Sequence, residues 1–188
     1  MIDKKTQILI SAIDLFVEKG FDRVSTAEIS KTAKVATGTM FYYFNTKEDI
    51  IISSYKLIKT QFILQTLEDN SLNKPIYDVL KIKWKNMILW AMNHKKEVQY
   101  LLQFKNSPYY CSNLMAEDDT WKELVHWWEI GIQEKVFKQL PLDYLLKTFN
   151  DLLFGTIEYL FINEDKVDEF TTISFNLCWD CIRFNQNS

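Results

Sequence analysis

Ser25-Thr26-Ala27-Glu28-Ile29-Ser30-Lys31-Thr32-Ala33-Lys34-Val35-Ala36-Thr37-Gly38-Thr39-Met40-Phe41-Tyr42-Tyr43-Phe44-Asn45-Thr46-Lys47-Glu48-Asp49 reads as two short helices joined by a tight turn, with a further helix starting directly behind them. Helix signals bracket each piece. Ser25 and Glu28 have the spacing of a capping box, in which the hydroxyl takes the Glu28 amide and the carboxylate returns to the Ser25 amide. Val24 and Ile29 flank it as a hydrophobic staple. Ile29 and Ala33 form the inner face, Lys34-Val35-Ala36 makes the turn with Val35 as its apolar plug, and a helix over about 37–43 follows. Asn45 or Thr46 caps the next helix, whose first turn holds Glu48 and Asp49, where the helix dipole favours acids.

In front of this stretch, residues from about 3 to 19 place Ile8, Ala12, Leu15 and Phe16 on one helical face. Gly20 ends that helix, since glycine adopts positive φ without a steric cost, and a Schellman closure folds Phe21 back onto Phe16. One amphipathic helix followed by two short ones across a turn is the arrangement of a helix-turn-helix DNA reader.

The stretch resembles the DNA-binding domain of the TetR family of bacterial transcriptional repressors. The residues that carry the likeness are Ile29, Ser30, Val35, Gly38, Thr39, Met40, the run Phe41-Tyr42-Tyr43-Phe44, then Lys47, Glu48 and Ile50. The likeness covers roughly the first quarter of the chain. It implies an all-α protein, with a DNA-binding domain over residues 1–46 and a helical ligand-binding and dimerisation domain over residues 47–188. The implied DNA contacts are Ser25, Thr26, Lys34, Thr37, Gly38, Thr39, Tyr42 and Lys47. Of these, Thr39 and Tyr42 project toward bases and Lys47 faces a phosphate. The family pattern has glycine at the position of Lys34, a hydroxyl residue at Ala36 and tyrosine at Phe41. Two neutral phosphate donors are therefore missing, and Thr37 is expected to take over the capping of its helix. Phe44 and Tyr43 are expected to pack inward, and Tyr42 faces the opposite way.

Charge sharpens this reading. The net charge is -3, and seven basic residues balance seven acidic ones through residue 50. A protein held on nucleic acid by charge alone is excluded, so the arrangement of a few groups must do the work. Four glycines and three prolines in 188 residues leave few turns for a sheet protein. The chain lacks what an enzyme needs: its two histidines, His94 and His126, are far apart, and it has neither a glycine-rich phosphate loop nor a carboxylate pair beside a histidine. No cofactor is implied. Lys4-Lys5 ahead of Ile8 to Val17 only mimics an export signal, because Asp14 interrupts the apolar run. No stretch approaches the ~20 apolar residues of a membrane span. A cytoplasmic protein with reduced thiols is expected. Cys178 and Cys181 read as small hydrophobes in a helix interface, with a redox pair and a zinc site as the alternatives.

Beyond residue 50 the pattern is helical to the end. A long connecting helix is expected over about 47–68, and Asn73-Lys74-Pro75 starts the next. Further helices are expected over about 96–104, 121–139, 142–161 and 166–185, with a loop over 106–119. The last two carry more apolar surface than a monomer covers. Phe170, Ile173 and Leu177 form one stripe, and Phe175, Trp179 and Ile182 another. In TetR-like proteins such helices pair with their symmetry mates, which implies a homodimer. The resemblance also implies a small-molecule site in the central helices, with Trp84, Ile88, Tyr100, Phe104, Trp121, Trp128 and Asn150 as candidates. A hydrophobic or aromatic inducer suits these walls. The partners expected are thus an operator DNA, an inducer and a second copy, with no membrane. The competing account is a helical interaction protein whose helix-turn-helix has lost DNA binding, through Ala36 and Phe41.

Overall fold

The computed structural model describes residues 3–67, 74–111 and 113–185. Among them the chain forms nine α-helices: α1 Lys4–Lys19, α2 Thr26–Thr32, α3 Thr37–Tyr43, α4 Lys47–Leu67, α5 Ile76–Asn93, α6 Lys95–Lys105, α7 Asp119–Gln133, α8 Leu142–Ile162 and α9 Val167–Ile182. The all-α expectation holds, with one isolated antiparallel bridge between Phe137 and Arg183. Glu68, where the connecting helix is expected to end, and Asn73 lie outside the described residues. Pro75 stands just ahead of α5, and its carbonyl accepts from the Asp78 and Val79 amides.

The helices divide into two compact units, Met1–Gln61 with His94–Ala116 and Phe62–Asn93 with Glu117–Ser188. The first unit is therefore larger than residues 1–46, because α6 belongs to it. Three side chains on α6 explain why. Lys96 pairs with Asp14 at 2.6 Å, the Gln103 amide donates to the Val17 carbonyl at 3.2 Å, and the buried Tyr100 hydroxyl donates to the Ile51 carbonyl at 2.7 Å. Around them Phe16, Phe21, Tyr55, Tyr100 and Phe104 pack ring against ring, with Tyr55 stacked on Phe104 at 4.3 Å. The Phe21–Phe16 contact forms at 5.3 Å, although Gly20 closes α1 at φ 81° and ψ 161°, which is not the left-handed helical geometry of a Schellman cap.

In the second unit α5, α8 and α9 share a core. The fully buried Trp84 donates its indole N–H to Ser174 at 3.0 Å and meets Phe149 edge-on. The helix expected to run to residue 139 stops at Gln133. A Schellman closure with Lys135 at φ 56° ends it: the Lys135 amide bonds the Ile132 carbonyl and the Val136 amide bonds the Gly131 carbonyl. Phe137 then folds over Gly131, where an added methyl would overlap its ring, and stacks on Trp128 at 4.7 Å. The last helix likewise ends at Ile182 rather than 185, since Arg183 is extended and pairs with Phe137.

On α8 and α9 one face is core and another is open. Leu145, Phe149, Leu153, Ile157, Phe175, Cys178 and Ile182 are buried. Tyr144, Tyr159, Ile162, Ile173 and Leu177 are exposed, Ile162 by 86% and Leu177 by 58%. Of the two α9 stripes, Phe175 and Ile182 face inward while Ile173 and Leu177 face outward.

Candidate nucleic-acid interface

Local hydrogen bonds build the reading head. The Ser25 hydroxyl accepts from the Glu28 amide at 3.1 Å, which caps α2. Since a hydroxyl also donates, its proton is still available to a phosphate. The Glu28 carboxylate is drawn mainly to Lys19, 2.6 Å away on α1, and that ammonium holds the Glu28 carboxyl below its ordinary range. The helix-turn-helix is thereby pinned to the helix behind it. Inside, Ser30 is buried against the sulfur of Met40, the one fully buried side chain of α3.

The turn is a second Schellman closure: the Lys34 amide bonds the Lys31 carbonyl, and the Val35 amide bonds the Ser30 carbonyl. It puts Lys34 at φ 53°, a conformation that glycine enters freely and an L side chain only at a cost. Lysine here holds an exposed charge at the price of backbone strain. Helix α3 opens at Ala36, which has no side chain to cap it; Thr37 is the first helical residue and makes no cap bond. The expectation that Thr37 takes over the cap is therefore corrected: one residue too far along, its hydroxyl is not where a cap must sit.

Two substitutions follow. Lys34→Gly is expected to raise stability by about 1 kcal/mol, as the left-handed strain is relieved and offset in part by the freer unfolded chain. Ala36→Ser is expected to add about 1 kcal/mol through the missing cap. Urea unfolding measures both; no gain at position 36 would mean that the α3 amides are already satisfied by water.

Four predicted contact residues line the outer side of this head. Tyr42 is 83% exposed, Thr37 and Gly38 are exposed, and Thr39 is half-buried. Phe41 is 45% exposed, so a hydroxyl in the family's position would meet solvent or a partner rather than the core. Phe44 is buried, as expected, while Tyr43 keeps an exposed edge against Tyr42. On α2, Ser25 is exposed and Thr26 half-buried.

Lys47 is placed otherwise than expected. Its ammonium donates to the carbonyls of Phe21, Val24 and Asp22 at 2.9, 3.2 and 3.5 Å, which uses the group inside the domain instead of toward a phosphate. Those carbonyls lie in the link between α1 and α2, more than twenty residues away, and nothing in the local sequence marks them. The α4 start is closed by Thr46 and Asp49, each accepting from the other's amide at 3.0 Å, so Thr46 rather than Asn45 is the cap.

The seven predicted ligand residues do not fall in one compact unit. Tyr100 and Phe104 belong with the helix-turn-helix, and both are fully buried there. The second unit holds Trp84, Ile88, Trp121, Trp128 and Asn150. Phe149 joins Trp84 and Trp128, with both ring pairs at 5.2 Å. Ile88 is fully buried, Trp121 is half-buried, and the Asn150 amide donates back to the Leu146 carbonyl. In this conformation these side chains fill the core. Among the described residues no group of three or more His, Cys, Asp or Glu could hold a metal ion. Burial pushes the Cys178 thiol up to about 12, and Cys181 is exposed.

On α4, burial lowers the Lys59 ammonium to about 8. Between that value and the ordinary 10.5 of a lysine the unfolded chain holds the extra proton, so stability rises with pH. The opposite sign applies to Cys178, Tyr55 and Tyr100, whose buried neutral forms are raised. They cost stability as the unfolded thiol and phenols ionise above pH 9 and 10 respectively. Denaturant titrations should therefore show a rise of about 1 kcal/mol between pH 8 and 9, then a fall. Lys59→Met should remove the rise and leave the fall.

An amphipathic helix, a capped α2, a Schellman turn and a short α3 with an exposed outer face together define a helix-turn-helix protein. Residues 8–53 match the family model described as bacterial regulatory proteins, tetR family, a stretch that holds α1, α2, α3 and the start of α4. Over 66 residues it is 41% identical to the fatty acid metabolism regulator protein of Bacillus subtilis, a stretch covering 35% of this chain and 34% of that one. The chain thus matches about a third of that curated relative's length. Across its whole length the fold resembles a tetR family transcription regulator from Shewanella sp. PV-4, with a TM-score of 0.90, 22% identity and coverage of 98% and 100% of the two chains. It also resembles the Bacillus subtilis regulator FadR solved in complex with stearoyl-CoA, with a TM-score of 0.72, 20% identity and coverage of 92% and 96%. No helix among the described residues is long and apolar enough to cross a membrane.

Proposed function

We propose that this protein is a dimeric transcriptional repressor of the cytoplasm, bound to its operator through residues 1–46 and released by a small hydrophobic or aromatic inducer held within residues 47–188. The observation that carries the reading is the outer face of α3, where Tyr42 is almost wholly exposed beside Thr37, Gly38 and Thr39 on a helix anchored from behind by Met40. A large aromatic ring held out into solvent contributes nothing to folding and suits a groove. Thr39 and Tyr42 are assigned to base edges, and Ser25, Thr26, Lys34, Thr37 and the backbone at Gly38 to phosphates.

A second copy suits the outward apolar face of α8 and α9, where Tyr144, Tyr159, Ile162, Ile173 and Leu177 stand in water. Two-fold pairing would bring two reading heads to successive major grooves about 34 to 36 Å apart, or a multiple of that. The inducer site is sought around Trp84, Ile88, Trp121, Trp128 and Asn150. An inducer that binds an opened form of that packed cluster couples to DNA where the opened form sets the reading heads at a different spacing. A regulator of this fold has been solved with stearoyl-CoA, so acyl thioesters belong among the compounds tried.

Gel shift on the intergenic DNA beside the protein's own gene, with and without candidate compounds, tests the reading. Inducer affinity should differ between free and operator-bound protein by about 1 to 3 kcal/mol, because coupling is reciprocal. Equal affinities would sink the allosteric part. The uncapped α3 and the missing Phe41 hydroxyl favour the one rival, an interaction protein that no longer binds DNA; failure of every DNA fragment to shift would establish it.

A further inference from the structure

Two of the four glycines are explained inside the chain, and two are not. Gly20 takes φ 81° at the end of α1, and Gly131 lies under the Phe137 ring, which an added methyl would overlap. Gly38 and Gly155 stand within helices, have no positive φ, and would meet no atom of the described residues within 4 Å of an added Cβ. Glycine inside a helix weakens the folding equilibrium about two- to fivefold against alanine. Nothing in the chain's own packing asks for it at either place. Gly38 lies on the outer face of α3, where DNA is assigned. Gly155 is the case left over. It is exposed and stands nearly two turns short of the end of α8. At 3.6 residues per turn, Tyr144, Thr148, Tyr159 and Ile162 lie within about 40° of it round the helix. Tyr144, Tyr159 and Ile162 are exposed, and on the neighbouring α9 so are Ile173 and Leu177. Gly155 is thus a hollow in an apolar face, and the side chains around it are large enough to fill such a hollow. A face that carries both features fits a second copy of itself.

We propose that α8 crosses α8 of the partner subunit at Gly155, with the two-fold axis of the dimer running past that residue. The inference rests on the pairing of α8 and α9 proposed for the second copy, and it adds where the two chains approach most closely. On a two-fold axis a residue meets its own copy, so each atom added at position 155 is added twice at one point. The side chains at a helix contact set the interaxial distance within roughly 8 to 10 Å, and glycine on both sides allows the near end of that range. At the margin of an interface the sign is opposite. There an added methyl covers more apolar surface and tightens the pair.

Sedimentation of the full-length protein over a dilution series, with circular dichroism at matched concentrations, tests this on the parent, Gly155→Ala and Gly155→Leu. A dimeric parent is expected. Gly155→Ala should raise the dimer dissociation constant tenfold or more with helix content unchanged, and Gly155→Leu should raise it further. Because a Cβ at position 155 has open space within the chain, the separated Gly155→Ala monomer should unfold at the same urea concentration as the parent monomer or a higher one. A firmer fold with weaker pairing is a combination that a glycine serving only the fold does not give. Should Gly155→Leu fail to fold, Gly155→Ala decides. A parent that stays monomeric at every concentration would overturn the dimer reading itself, and this inference with it. A dimeric parent that Gly155→Ala matches or exceeds in affinity would overturn the crossing and leave the dimer standing. Loss of helix content in Gly155→Ala would overturn the crossing too, by placing the role of the glycine in the fold.

Discussion

Lys47→Ala is expected to destabilise the protein by about 2 to 3 kcal/mol, more than any other single change at the reading end. The Lys47 ammonium answers three backbone carbonyls, those of Phe21, Asp22 and Val24. Hydrogen bonds to charged donors contribute about 1.5 to 3 kcal/mol each when well made, but one of these is long and all share a single, partly exposed group, so the sum is well below three full bonds. For a chain of this size the loss corresponds to roughly 5 to 10 °C in melting temperature. DNA affinity should fall on operator and random DNA alike, because the α1–α2 link loosens and the head loses its fixed angle. The salt dependence distinguishes this from a phosphate contact. Loss of a phosphate contact makes the slope of log affinity against log salt shallower by about 1. An unchanged slope is expected, and a slope shallower by about 1 with little change in melting temperature would return Lys47 to the DNA.

That lysine also marks where sequence reading stops. The caps at Ser25 and Thr46 and the stop at Gly20 are legible because donor and acceptor lie within a few residues, so the chain spells them locally. The burial of Ile29 and Ala33 follows from helical spacing alone. What spacing cannot give is pairing at a distance. The Lys47 carbonyls lie more than twenty residues back, and Gln103 meets Val17 across 86. Tyr100 and Phe104 stand among the ligand candidates because the resemblance implies that their helix lines such a site. Their rings instead complete the aromatic core behind α1, which only the packing of α6 reveals. Trp84 shows the same limit, since its donor is met by Ser174, ninety residues on. Helix ends set by tertiary contact were also unreadable: α7 stops where Phe137 closes over Gly131, although the amphipathic pattern itself runs on.

Tyr42→Ala is expected to cost about 1 to 3 kcal/mol on the true operator, roughly 5- to 150-fold in affinity, and clearly less on random DNA. The side chain is 83% exposed, and among the described residues its ring meets that of the neighbouring Tyr43 at 5.1 Å. Its removal therefore leaves the core untouched, and the melting temperature should stay within a degree or so of the parent, as for a surface change of under about 0.5 kcal/mol. The phenol can give two kinds of contact, an apolar ring edge to a thymine methyl and a hydroxyl to a base edge or a phosphate. Tyr42→Phe separates them. If the hydroxyl reads a base, Phe should lose most of what Ala loses, and only on the operator. A loss equal on both DNAs would make the hydroxyl a phosphate contact, while Phe matching the parent would leave the ring as the reading element. Should Tyr42→Ala bind operator and random DNA as the parent does, the base contacts must come from Thr39 and its neighbours, and the case built on the outer face of α3 would lose its main support.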